Sequence, residues 1–271
     1  MKQRKMAYYG KKALIFLFSV LILSITVFYV ARLAPGDPLV SYYGERSEKM
    51  SPEEREWAME KLGLNEPISV QYVKWVKNAL HGDFGISFKY KQDVTEVIRG
   101  RIGNTLLLGG IGFLCIFAGS LLLGIVCAWQ EDKMADRILC KLGTISSCIP
   151  EFWIALVLIL IFSVNLKLLP SSGAYSTGNA GNIGDRALHL VMPLTIVILE
   201  HLWYYAYMIR NKILEEVRAD YVLLAKAKGL NKKKIMFRHC IRNVMPAYLS
   251  IMAIAVPHVL GGTYVVESVF S

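Results

Sequence analysis

Four ionisable side chains, Glu151, Glu200, His201 and His258, fall in or at the edge of stretches otherwise apolar enough to cross a membrane. Carboxylates and imidazoles can exchange protons, hold a cation or line a polar passage. In hydrocarbon each must face protein or water, because an isolated charge there is costly. The set is therefore read as pathway-lining. A plainer reading stands beside it: Glu151 directly follows Pro150 and would sit near a span end, Glu200 and His201 would hydrogen-bond a neighbouring helix, and His258, after Pro257, would steady a kink. These residues do not by themselves make a coordination site, so no metal is expected.

Other chemistry lacks its residues. Gly10-Lys11-Lys12 has neither the preceding glycine spacing nor the hydroxyl of a phosphate-binding loop, so ATP hydrolysis is not expected here. There are no histidines at zinc-protease spacing and no nucleophile elbow around a Ser or Cys. The five cysteines lack metal-type spacing and read as apolar fillers. The chain is read as no enzyme and as needing no cofactor.

A second group with work to do is the run from Arg210 to Pro246, which carries ten Lys and Arg against three acids, Glu215, Glu216 and Asp220. Its punctuation is helix, stop, helix. Residues 212–228 contain no Gly or Pro, Gly229 offers a left-handed C-terminal cap followed by Leu230, and Asn231 can cap a second helix over about 232–243. Lys232, Lys233 and Lys234 then oppose the dipole of their own helix. Leu214, Val217, Tyr221 and Leu224 share one stripe at helical spacing, and Ala225 and Ala227 leave the end slim enough for another protein to approach. An ordinary basic membrane-proximal loop has the same composition.

The elements that must position these groups follow from hydropathy. With 271 residues, 54% of them hydrophobic, and a formal charge of +10, the chain is too apolar in too many long runs for one soluble domain. Its basic residues lie in blocks beside apolar runs, which points to membrane topology and to lipid, not nucleic acid, as the partner. Five spans are predicted, over about 13–30, 104–129, 142–166, 188–208 and 247–266, each near the length that a hydrocarbon core of about 30 Å demands. The first is an uncleaved helix, since no cleavage pattern follows it. Basic residues place the N-terminus, the 130–141 turn and the 210–243 loop on the cytoplasmic side.

Three parts result: residues 1–34, the N-terminus and first span; 35–103, an extracytoplasmic helical segment; and 104–271, the core with its loop at 210–246. In the middle part Ser51, Pro52 and Glu54 form a capping box, with Gly63 closing that helix after Leu62. A helix after Pro67 carries too many apolar positions (Tyr72, Val73, Trp75, Val76) to be solvated all round, so it packs on the spans or on a partner. Asp93 caps a short amphipathic helix ahead of the second span.

Asp220-Tyr221-Val222, Ala225 to Leu230, Arg238-His239, Arg242-Asn243 and Pro246 together resemble the cytoplasmic loop of permease subunits from binding-protein-dependent ABC importers of the peptide/nickel family. Arg32 to Pro38, Gly82 to Phe88, Asn104-Thr105-Leu106, Ile149 to Trp153, Gly261-Gly262-Thr263 and Val266-Glu267 extend the likeness over nearly the whole chain. Where the general importer motif has Glu-Ala-Ala, this chain has Leu223-Leu224-Ala225, and its Gly229 to Pro246 spacing is longer than in sugar-type permeases. Both departures are similar to the peptide/nickel subgroup. That family has a sixth span after a Trp-Pro-Gly turn, and the sequence stops at Ser271 where the turn would begin, so a partial sequence is expected.

The resemblance implies an all-α permease of the type I importer fold in a prokaryotic cell membrane. It would form half of a translocation pathway beside a second permease subunit, two cytoplasmic ATP-binding subunits and an extracytoplasmic solute-binding protein. It further implies peptides or nickel chelates as cargo, and ATPase coupling through Asp220, Tyr221, Leu224, Ala225, Ala227, Gly229, Leu230, Arg238 and Asn243. A membrane-embedded enzyme using Glu200 and His201, or a basic membrane scaffold, is the alternative.

Overall fold

A computed structural model describes residues 2–33, 36–61, 63–87, 89–146 and 148–270. Ala34, Pro35, Leu62, Phe88 and Ser271, which belong to features noted above, lie outside the described residues. The chain is helical, with an isolated bridge between Ile86 and Asp93 and no strand among the described residues. It divides into two compact units, residues 1–101 and 102–271.

In the first unit α1 (Lys2–Leu33) contains a span-length stretch, Tyr8–Leu33, whose most apolar window is wholly unburied, a surface suited to hydrocarbon. Asp37 caps α2 (Pro38–Tyr43) by accepting from the Leu39 amide. That hydrogen bond, helped by Arg55, holds the Asp37 carboxyl below the usual carboxylate range. The expected capping box opens α3 (Pro52–Lys61): the Ser51 amide donates to Glu54 at 2.9 Å and the Glu54 amide to Ser51 Oγ at 3.2 Å. Helix α4 (Ile68–Leu80) resolves its surplus of apolar residues by packing Tyr72 and Trp75 on Phe28 of α1, with ring centroids 5.3 and 5.9 Å away.

The separate interfacial helix after Asp93 is not formed. Helix α5 (Val94–Trp129) runs straight through Gly100 and Gly103 into the second span. A helical glycine costs only about 1 kcal/mol, which the apolar residues on either side offset once packed.

In the second unit the long helix α8 (Ile183–Val217) is the hub, packed against α6 (Met134–Ser146), α7 (Glu151–Leu158) and α11 (Ile241–Phe270). Its buried face, with Ile196, Val197, Ile209 and Ile213, meets Ile116 and Phe117 of α5 and Val259 and Val266 of α11 in one core. Close approach of α5 and α8 needs Gly124: a Cβ there would lie 2.9 Å from Ile209 Cγ2 and 3.2 Å from the Ala206 carbonyl oxygen.

Among the described residues four helices are long and apolar enough to cross a membrane: α1 from Tyr8, α5, α8, and the run Lys232–Phe270. A fifth exists if α6 and the helix over Glu151–Asn165 count as one span, but the two are bent by 99°. The predicted continuous helix over 142–166 is therefore broken. The residue before a proline is driven out of the helical region, and Pro150 sits extended at the head of α7. A π-helical segment, Ile159–Asn165, completes the second arm.

The loop over 167–182 is tied to the start of α8. Ser176 donates to Asp185 at 2.7 Å, His189 Nδ1 bonds the Gly173 carbonyl at 2.9 Å, and the Gly173 amide donates to Phe270 at 2.7 Å. Because Asp185 holds Ser176 and the backbone holds His189 Nδ1, this Ser, His and Asp form a latch and lack the geometry of a hydrolytic triad.

Candidate functional sites: a basic joint and an acidic cavity

The basic loop folds as helix, stop, helix, with a different first boundary. Helix α8 ends at Val217, and α9 (Asp220–Ala227) restarts after an extended Ala219. No Gly or Pro marks this break. The signal is Asp220, whose negative charge suits a helix N-terminus better than a helix interior.

The stop at Gly229 is a full Schellman motif. Gly229 adopts φ +76°, its amide donates to Lys226 O at 2.9 Å, and the Leu230 amide reaches Ala225 O at 3.1 Å. Asn231 then accepts from the Lys234 amide at 2.8 Å and opens α10 (Lys232–Ile235). The expected end near Asn243 is absent, because a π-helical turn, Met236–Cys240, carries the helix directly into α11 and through Pro246. Membrane helices tolerate proline where local π geometry and packing absorb the lost hydrogen bond.

Turning the chain at 218–219 redistributes the predicted stripe. Leu214, Val222 and Ala225 are buried, Val217 and Tyr221 half-buried, and Leu224 is turned outward. Tyr221 donates to Glu216 at 2.6 Å, and Asn243 Nδ2 donates to the same carboxylate oxygen at 3.2 Å. One acid thus ties α8, α9 and α11 together. Burial, then the Glu216 carboxylate, pushes the Tyr221 phenol above its ordinary range, so it remains a donor at any physiological pH. Ala225 is 7% exposed, whereas Leu223 is 61% and Leu224 56% exposed. Asp220, Ala227, Gly229 and Arg238 are also exposed, and Leu230 is half-buried. The expected set is gathered in one place, but Tyr221 and Ala225 face inward and Leu223 joins Leu224 on the outside.

Three charged contacts, each joining residues far apart in sequence, brace this joint. Asp136, 2% exposed at the start of α6, pairs with Arg210 near the end of α8 and also accepts from the Asp132 amide at 2.9 Å. Arg218 pairs with Glu131. Lys232 Nζ donates to Trp129 O at 2.9 Å and lies 4.7 Å from the centre of the Trp129 ring. Lys232 is misplaced for its own helix dipole but well placed against the negative C-terminal end of α5.

The intramembrane residues also converge. Glu151 of α7, Glu200 and His201 of α8, and His258 of α11 all line one cavity of about 620 Å³, whose other walls include Tyr204, Tyr205, Ile251 and Ile254. Glu151 and Glu200 face the same cavity, and Oε2 of each is buried without a hydrogen-bond partner. His201 Nδ1 approaches Glu200 Oε2 to 3.3 Å, but its hydrogen bond goes to the Val197 carbonyl at 3.1 Å. Among the described residues no three His, Cys, Asp or Glu are arranged to hold a metal ion.

Elsewhere in the second unit two of the motifs meet: Thr105 donates to Glu267 at 2.9 Å, joining α5 to the end of α11.

A hub of span-length helices, a polar cavity at their junction and a basic helical joint at one end define a polytopic α-helical transport protein. Residues 120–271 match the family described as the inner membrane component of binding-protein-dependent transport systems, and residues 7–109 match its N-terminal region. The chain belongs to that family of permeases. It is 33% identical over 266 residues to the oligopeptide transport system permease protein AppB of Bacillus subtilis, covering 98% of this chain and 83% of that one. A putative peptide transport system permease protein of Brucella abortus is 31% identical over 93% of this chain and 78% of its own length. A probable peptide ABC transporter permease of Sinorhizobium fredii is 31% identical over 91% of this chain and 77% of its own.

Proposed function

We propose that this chain is a permease subunit of an ATP-driven peptide importer, supplying half of the translocation pathway and taking its drive from cytoplasmic ATPases through α9 and its flanks. The observation that carries the reading is the cap-and-restart joint. Its inner face is fixed by Tyr221 and Ala225 and its end by the Gly229 turn, while Leu223 and Leu224 stand exposed beside it. An exposed apolar pair on a rigid short helix is what a partner protein needs in order to grip and push. Peptides are favoured as cargo because the named relatives carry that description over most of their length.

In this reading the N-terminus and the joint are cytoplasmic, as the basic residues imply. A second permease completes the pathway, two ATP-binding subunits dock at the joint, and an external solute-binding protein delivers cargo. ATP-driven closure of the ATPases moves α9. The braces at Arg210, Arg218 and Lys232 carry that motion to α6, the 130–133 turn and α5.

The test is uptake of a labelled peptide into proteoliposomes containing the complete transporter, with ATP consumption followed in parallel. Changing Gly229→Val should abolish uptake while ATP hydrolysis continues. Unchanged coupled uptake in that variant would sink the assignment.

A further inference from the structure

The cavity between α7, α8 and α11 has a one-sided chemistry. Its polar lining includes two carboxyl groups and two imidazoles, and no Lys or Arg is among its described lining residues. Oε2 of Glu151 and Oε2 of Glu200 are each buried without a hydrogen-bond partner, so the lining presents carboxyl oxygens whose acceptor capacity is open. His201, with Nδ1 donating to Val197 O, keeps Nε2 as an acceptor. Tyr204 and Tyr205 add aromatic rings to the lining, and Ile251 and Ile254 add apolar wall.

Acceptors and negative charge thus await a donor-rich cation of modest size. An ammonium group has three N–H donors for the two carboxyl oxygens and the imidazole nitrogen. A carboxylate would meet like charge, and a metal ion would lack a formed ligand set. The volume, about 620 Å³, is in the range of small-ligand sites and exceeds what a lone ion needs.

We infer that this cavity is a subsite for a substituted ammonium group of the transported molecule, its amino end or a cationic side chain, held by Glu151, Glu200 and His201. The inference rests on the permease reading, yet it can be tested apart from peptide cargo.

The binding arm uses the complete transporter in nanodiscs with three probes: leucinamide, a cation; N-acetyl-leucine, an anion of similar size; and Ni²⁺. Leucinamide should bind at least about tenfold tighter than N-acetyl-leucine, as expected for a charge-assisted hydrogen bond. The preference should vanish in Glu151→Gln/Glu200→Gln, a near-isosteric change whose gel-filtration profile checks assembly. His201→Ala alone should weaken leucinamide binding while retaining the preference. Equal binding of the two organic probes, a preference that survives the double substitution, or Ni²⁺ binding tighter than leucinamide and lost in His201→Ala/His258→Ala would each overturn the inference.

The transport arm compares uptake of tri-alanine, its N-acetylated form, and an N-acetylated tripeptide with a central lysine. Loss on acetylation, restored or not by the lysine, tells whether side-chain or amino-terminal ammonium is read. Peptide uptake without a cation preference in the cavity would refute the subsite and leave the peptide reading standing. Leucinamide binding without uptake of any peptide would do the reverse.

Discussion

The joint and the cavity both gather charged side chains, and they treat them in opposite ways. At the joint each prominent charge is matched: Asp136 with Arg210, Arg218 with Glu131, Glu216 with Tyr221 and Asn243, Lys232 with Trp129. In the cavity Glu151 and Glu200 each keep a buried carboxyl oxygen unmatched. Matched charge makes a stiff connection with one arrangement, because leaving either partner alone is costly. Unmatched charge lowers stability and leaves an open demand that a ligand can fill. The same residue types thus build a lever in one place and a binding surface in the other.

Breaking the strongest pair should show the contrast most clearly. Asp136→Ala strands the Arg210 guanidinium among buried neighbours and should lower the stability of the purified protein by about 3 kcal/mol, read as a drop in Tm. Adding Arg210→Met should recover much of the loss. Gly229→Val has no steric clash to contend with, since a Cβ there meets nothing within 4 Å, yet it forces a β-branched residue to φ +76°. That should cost about 2 kcal/mol locally and loosen α9, seen as faster amide exchange at Lys226–Leu230. Gly229→Asn should be milder.

Tyr221→Phe removes one of the two donors on Glu216 and should cost about 1 kcal/mol in chemical denaturation. The phenol's raised pKa fixes the sign of the pH effect. Its contribution is fully present below the ordinary value of 10.0 and is lost as pH rises above it, so wild type and Tyr221→Phe should converge in stability only under strongly alkaline conditions. Lys232→Ala should cost only about 0.5 kcal/mol, the scale of an exposed cation on an aromatic ring. At the bottom of the scale, Glu200→Gln in the cavity should leave Tm unchanged or raise it slightly. A large fall there would erase the distinction between the two regions.

Much of this was legible in the sequence, for reasons that differ by residue. Gly229, Leu230 and Asn231 were readable because a Schellman stop and an Asn cap depend on local backbone chemistry alone. The Ser51 to Glu54 box was readable for the same reason. The four intramembrane ionisable residues could be named from hydropathy, but their convergence is a tertiary fact: α7 must turn at Pro150 before Glu151 can meet Glu200.

The break at 218–219 carries neither Gly nor Pro, and its one sign in the sequence is Asp220. Which side of α9 faces inward could not be read from a stripe continued across that break. The Asp136 to Arg210 pair was within reach, since charge topology already put the two segments on one side, but pairing them required knowing that α6 packs on α8.

The most direct measurement places a photo-crosslinking amino acid at Leu224, and separately at Ala225, in cells producing the complete transporter. The account predicts an ATP-dependent crosslink from position 224 to an ATP-binding subunit, and from position 225 only crosslinks within this chain. Capture of the ATP-binding subunit from 225 and not from 224, or from neither position in an active transporter, would contradict the assignment of α9 as the coupling element.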